Sequence, residues 1–208
     1  MITKLFDSPV SQLVEQSTQV EIAEERITLS PVTWAQYETL RSLFDNLPSL
    51  RITYLSGILE MLMPSPQHER LKSVIARLIE TYSLETNTRL YCCGSTTYRK
   101  QAKESGLEPD ESYCVGEIKD LPDFAIEVTI TSGSIDKLKV YQELGIPEVW
   151  FWEKDRLMLY QLRNDGYTPI DRSQFLPSLD LNLLVRAIKM SIQSDQFDAL
   201  LQFRNALR

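Results

Sequence analysis

The apolar positions of the chain fall into segments of two periods, one helical and one extended. Behind Ser30-Pro31, the residues Val32, Trp34, Tyr37, Leu40 and Leu43 are spaced for one helical face, which predicts a helix with Ser30 as N-cap and Pro31 in its first position. Ile52, Tyr54, Ile58, Leu59, Met61 and Met63, broken at Ser56-Gly57, predict two short strands. Pro64-Ser65-Pro66 then launches a strongly amphipathic helix, because Leu71, Val74, Ile75, Leu78, Ile79 and Tyr82 recur three and four apart. It should end near Ser83.

Strands are predicted over 89–93 and 96–100 around Gly94, followed by a polar loop over 101–108. The segments 108–113 and 124–130 alternate as a hairpin joined through Gly116, Glu117, Lys119 and Asp120. Thr131 to Ser134 offer N-cap chemistry for a helix through Leu144, and Gly145 with Pro147 stops it. A last hairpin spans 148–152 and 156–162, and the tail is helical over 181–187 and 194–207. Helix, strands, helix, meander, helix, hairpin and helices make an α/β fold, a mixed β-sheet flanked by helices. Residues 1–26 are polar with weak periodicity and read as an N-terminal arm; residues 27–208 read as one domain with a helical tail.

With 208 residues and 43% hydrophobic content, the chain buries roughly 70% of its unfolded surface and needs no disulfide or structural metal to fold. A metal site would therefore serve chemistry. The formal net charge of −7 repels nucleic acid at long range, so a polyanion would need a local basic patch. Three cysteines without Cys-x-x-Cys spacing, no apolar core near the start and no apolar run approaching roughly 18 residues predict a soluble, cytoplasmic protein with no membrane partner.

The chemistry concentrates in Glu108-Pro109-Asp110 and Pro122-Asp123-Phe124-Ala125-Ile126-Glu127-Val128-Thr129. On the second strand Asp123, Ala125, Glu127 and Thr129 share one face, and the aliphatic residues between them share the other. A carboxylate inside so apolar a strand needs a cation, a lysine or a proton. Asp123 lies about 13 Å along the strand from Glu127, too far to share an ion with it. In a symmetric hairpin residue 110 stands opposite residue 127, and directly opposed Cβ atoms are roughly 5 Å apart. Two carboxylates meeting there suit a hard divalent cation, Mg²⁺ or Mn²⁺. Lys137, in the first turn of the next helix, can lean back over Glu127 and stabilise charge on a phosphate.

These segments, with Asp136-Lys137-Leu138, Tyr141 and Leu144-Gly145-Ile146-Pro147-Glu148-Val149-Trp150, resemble the Uma-type family of bacterial restriction-endonuclease-like proteins within the PD-(D/E)XK nuclease superfamily. The resemblance spans about 30–162 and implies a restriction-endonuclease-like fold. It implies that Asp110 and Glu127 are the metal ligands, and that Lys137 replaces the signature lysine, since Thr129 stands two residues after the acid. It also implies a further acid or equivalent group on the first core helix, for which His68 and Glu69 are the candidates, and a homodimer as the expected assembly.

Plainer readings stand beside these. Asp110 and Glu127 could pair structurally with Lys137 or Arg99, and His68 could be a polar residue at a helix start. Trp150, Phe151 and Trp152 read as packing rather than a stacking platform. Arg89, Arg99, Lys100 and Lys103 could guide a phosphate backbone, although Glu85, Glu104 and Glu108 intersperse them. Cys92 and Cys93 read as packing residues. The expectation is an Mg²⁺-dependent endonuclease hydrolysing phosphodiester bonds, with DNA as substrate. The alternatives are a nuclease-fold binding or assembly module without catalysis, and a carboxylate-based glycoside hydrolase.

Overall fold

A computed structural model describes residues 24–47 and 49–208. Its elements in chain order begin with β1 (Glu25–Leu29), α1 (Trp34–Leu43), β2 (Arg51–Leu55), β3 (Ile58–Met63), α2 (Pro66–Glu85), β4 (Leu90–Cys92), β5 (Tyr98–Lys100) and β6 (Ser105–Leu107). They continue with β7 (Glu111–Val115), β8 (Phe124–Thr129), α3 (Lys137–Leu144), β9 (Glu148–Glu153), β10 (Arg156–Arg163), β11 (Gly166–Ile170), α4 (Leu181–Gln193) and α5 (Gln196–Ala206). Residues 1–23 of the expected arm lie outside the described residues, whereas Glu25 and Arg26 belong to β1.

The strands form two sheets, and the larger carries the acidic hairpin. Its order is β11-β10-β9-β8-β7-β4, and β8 and β9 run parallel with α3 as the crossover between them. One face packs Phe124, Ile126, Val128, Trp150 and Trp152 against Leu78, Ile79, Ile188 and Phe203 from α2, α4 and α5. The other sets Ala125 and Val149 against Val140, Tyr141 and Leu144 of α3. β8 is thus covered on both sides, and a charge on either face is cut off from water. The smaller sheet is antiparallel, ordered β1-β3-β2-β6-β5, with Tyr37 of α1 stacked on Tyr54 at 4.8 Å.

Several boundaries differ from the sequence pattern for local reasons. α1 starts after Thr33, not Ser30, because Thr33 and Gln36 form a reciprocal capping box. α3 starts at Lys137 because Asp136, rather than a residue of 131–134, caps it through Leu138 N. The polar loop over 101–108 contains β6, whose residues are all buried. β4 and β5, read as neighbours around Gly94, belong to different sheets. β11 carries Pro169, which argues against a strand in sequence and is tolerated here because β11 is an edge.

β6 reaches Tyr54 and Arg99 through Gly106, where an added Cβ would stand 2.4 Å from Tyr37 Oη. Tyr37 is fully buried and stacked, so it cannot swing away. Gly106→Ala is expected to destabilise the protein by about 1–3 kcal/mol, read as a lowered midpoint of chemical unfolding.

Candidate active site

Where β7 and β8 pair, Glu111 stands against Ile126, Ser112 against Ala125 and Tyr113 against Phe124, and one further step sets Asp110 opposite Glu127. The hairpin is pinned near its tip by Asp123, which accepts from Val115 N at 2.7 Å and pairs with Lys119 Nζ. Asp123 is therefore a structural group, and its clamp fixes the register that brings the other two acids together.

Both opposed acids are buried and each is held at both oxygens. Asp110 Oδ2 accepts from Val128 N at 2.7 Å, and His68 Nε2 lies 2.9 Å from Oδ1. That approach is oblique to the ring N–H, so it acts as a charge contact more than an aligned hydrogen bond. Glu127 takes Lys137 Nζ on Oε2 and the Tyr141 hydroxyl on Oε1. Lys137 and Tyr141 reach the same carboxylate because they lie four apart on α3, one above the other on one face. His68 is aimed by the start of α2, where Ser65 accepts from His68 N at 3.2 Å and Pro66 occupies the first helical position.

A second layer closes over this core from Glu24, β1 and β3. Glu24 Oε1 lies 2.8 Å from His68 Nδ1, and its other oxygen accepts from Thr131 N at 3.1 Å and from the Thr131 hydroxyl. The Arg26 guanidinium pairs with Glu60 and reaches Thr131 O at 3.1 Å. Glu60 also accepts from Ser134 N at 2.7 Å and Ser134 Oγ at 2.9 Å. At Gly133 a Cβ would stand 2.7 Å from Arg26 Nη1 and 2.8 Å from both Glu60 oxygens, so a side chain there would have to push the Arg26–Glu60 pair aside.

Charge is divided unevenly. Burial raises Asp110's proton affinity, but His68, Lys137 and the Val128 N–H outweigh it and hold the carboxyl below its usual range. Burial together with the Asp110 charge pushes Glu127 up, against the pull of Lys137 and Tyr141. Lys137 is disfavoured by burial, yet Glu127 and Asp110 raise it, so it stays an ammonium. Burial would likewise depress His68, but Asp110 and Glu24 win and lift it to about 9.

The donor set fits a hard cation. The two side chains are carboxylates, oxygen donors of the kind a hard divalent ion takes. Among the described residues no three His, Cys, Asp or Glu side chains converge as a metal cage. Two carboxylates could supply part of a divalent ion's shell, with waters and substrate oxygens making up the rest. Lys137, 21% exposed at its side chain, lines a pocket of about 270 Å³ together with Thr129, Arg26 and Glu60.

Of the residues expected from sequence, Asp110, Glu127, Lys137 and His68 are brought together. Glu69 is not: it sits 44% exposed, 3.3 Å from Lys72 and 4.0 Å from Arg51, because adjacent helical residues point about 100° apart. The basic cluster is also dispersed, with Arg99 on Glu38 and Lys103 on Glu143. The sequence pattern gives no site role to Glu24, Arg26, Glu60 or Tyr141. Glu60 carried the signal already used for Glu127, an acid among aliphatic strand residues, and Tyr141 stands one helical turn beyond Lys137. Nothing in the local sequence marks Glu24.

His68 is the chain's single histidine, so its ring resonances are uniquely assignable. Its folded pKa lies above the ordinary 6.5, so its stabilising contribution is complete below pH 6.5 and is lost as pH rises through about 9. Its NMR titration midpoint should fall near 9, with unfolding midpoints declining between pH 7 and 9.5 more in the parent than in His68→Asn. A midpoint near 6.5 would contradict the Glu24–His68–Asp110 arrangement.

A search of curated proteins found no match. A family described as "Putative restriction endonuclease", Uma2, matches residues 34–193, which include α1, the hairpin, α3 and α4. The match covers more than half of the chain and contains Asp110, Glu127, Lys137 and His68, and the protein therefore belongs to the Uma2 family.

Proposed function

We propose that this protein is a metal-dependent endonuclease that hydrolyses phosphodiester bonds, with DNA as its substrate and Asp110 and Glu127 as ligands for Mg²⁺ or Mn²⁺. The observation that carries the reading is the buried Asp110–Glu127 pair, two opposed carboxylates with an ammonium beside them, Lys137, that lines a neighbouring pocket. When bound, the cation supplies charge neutralisation at the phosphate and lowers the pKa of water.

The chain's own groups divide the remaining work. Lys137 faces the pocket, can donate to a phosphate oxygen or to the attacking water, and stabilises the negative charge that grows as the bond breaks. Tyr141 fixes the Glu127 carboxylate, so that Lys137 can move toward substrate without leaving that acid unpartnered. His68 and Val128 N hold the two oxygens of Asp110 in place. Thr129 occupies the position where a lysine is expected, and Lys137 reaches the same carboxylate from α3. A homodimer in the cytoplasm is part of this reading; no helix among the described residues is long and apolar enough to cross a membrane.

The engagement of both Glu127 oxygens by Lys137 and Tyr141 favours a second reading, a nuclease-fold binding module without catalysis. Activity separates the two. Purified protein should nick plasmid or oligonucleotide DNA in Mn²⁺ or Mg²⁺ but not in EDTA. Asp110→Asn and Glu127→Gln, which keep side-chain volume, should lower the rate by at least about 10³-fold, and Lys137→Met by about 10²–10³-fold. Variants that remain folded and cleave as fast as the parent would contradict the assignment.

A further inference from the structure

The row of the sheet that carries Glu127 does not end there. Parallel pairing puts Phe151 of β9 directly beside Glu127, and antiparallel pairing puts Met158 of β10 beside Phe151. Tyr160, two residues along β10, shares their face and meets the Phe151 ring edge-on, at 5.9 Å and 84°. All three are half-buried and line the pocket that Lys137 also lines. Their neighbours Trp150 and Trp152 point to the opposite face and are consumed by the core. Phe151 rests one side on the α3 core cluster, and with Met158 and Tyr160 it leaves a half-exposed wall beside the acids that the chemistry assigned to Asp110, Glu127 and Lys137 does not use.

We propose that this wall takes one unpaired nucleobase of the strand whose phosphate lies at Lys137, so that the substrate is single-stranded or locally unpaired nucleic acid. The placing of the phosphate rests on the nuclease reading. At about 4.8 Å per strand, Phe151 and Met158 stand one and two spacings from Glu127, about 5 to 10 Å, a span that one nucleotide bridges between its phosphate and its base. The pocket, about 270 Å³, falls below the roughly 300–1,000 Å³ of sites for drug-sized ligands and suits one heterocycle rather than a stacked pair. Asp110 and Glu127 are 3% and 0% exposed at their side chains, so a phosphate must enter a recess. A nucleotide out of the stack can enter it, whereas one inside an intact duplex is held by its neighbours. The ring faces and the Met158 thioether accept any base, and Thr129 and Glu153 at the pocket edge offer polar groups to its rim.

The test uses fluorescence anisotropy in Ca²⁺ with two labelled probes of equal length, an oligo-dT and a wholly abasic deoxyribose-phosphate chain. The parent should bind oligo-dT about ten-fold more tightly. Tyr160→Ala, and Phe151→Leu as a second variant that stays apolar but loses the ring, should erase that preference while leaving affinity for the abasic chain within two-fold. In Mn²⁺ the parent should cleave a single strand faster than its fully paired duplex. Equal affinity for both probes in the parent, or duplex cleavage as fast as single-strand cleavage, overturns the base pocket and leaves the nuclease reading standing. A base preference that both variants abolish, without any cleavage by the parent, supports the base pocket and removes the nuclease reading.

Discussion

Two carboxylates facing each other across a buried strand pair are the constraint around which the rest of the molecule is arranged. Left alone, Asp110 and Glu127 would repel in a medium that screens little, and removing one partner of such a buried charge typically costs about 3–5 kcal/mol. The fold answers from separate directions. α2 delivers His68 to Asp110, α3 delivers Lys137 and Tyr141 to Glu127, and β8 offers the Val128 N–H. Glu24, just before β1, Arg26 of β1 and Glu60 of β3 close the outer layer. The two sheets are joined at this point by side chains as well as by the chain.

Local rules are broken where these groups meet. Lys137 is the first residue of α3 and His68 the third of α2, positions where the positive end of a helix disfavours a cation. Both are nevertheless held cationic by the carboxylates they face, against the penalty of burial. Departures of this kind from local preference concentrate at functional sites. On the proposed function the protein cations occupy carboxylates that a hard divalent ion would share, and Lys137 lines the pocket beside them.

Much of this was legible in the sequence, for identifiable reasons. Asp110 and Glu127 could be paired because a tight hairpin obeys a symmetric register, and the observed pairing follows it. The helix expected to end near Ser83 runs over Pro66–Glu85, and the tail helices expected over 181–187 and 194–207 run over Leu181–Gln193 and Gln196–Ala206. What escaped depends on contacts between distant segments. Glu24 meets His68 across 44 residues and Thr131 across 107, separations with no local signature. β6 was hidden by its polar, glycine-containing sequence, and it is buried only because α3 and Tyr37 lie against it. Glu69 looked as suitable as His68 because they are adjacent, and only the rotation of α2 decides which one faces the acids.

The most direct measurement is anomalous diffraction from crystals grown with Mn²⁺. A cation held by the pair predicts a single strong peak within about 2.0–2.3 Å of one oxygen from Asp110 and one from Glu127, with Lys137 Nζ withdrawn toward the pocket. Saturating Mn²⁺ with no peak between those carboxylates, and Lys137 and His68 still seated on them, would contradict the metal site and with it the hydrolytic role.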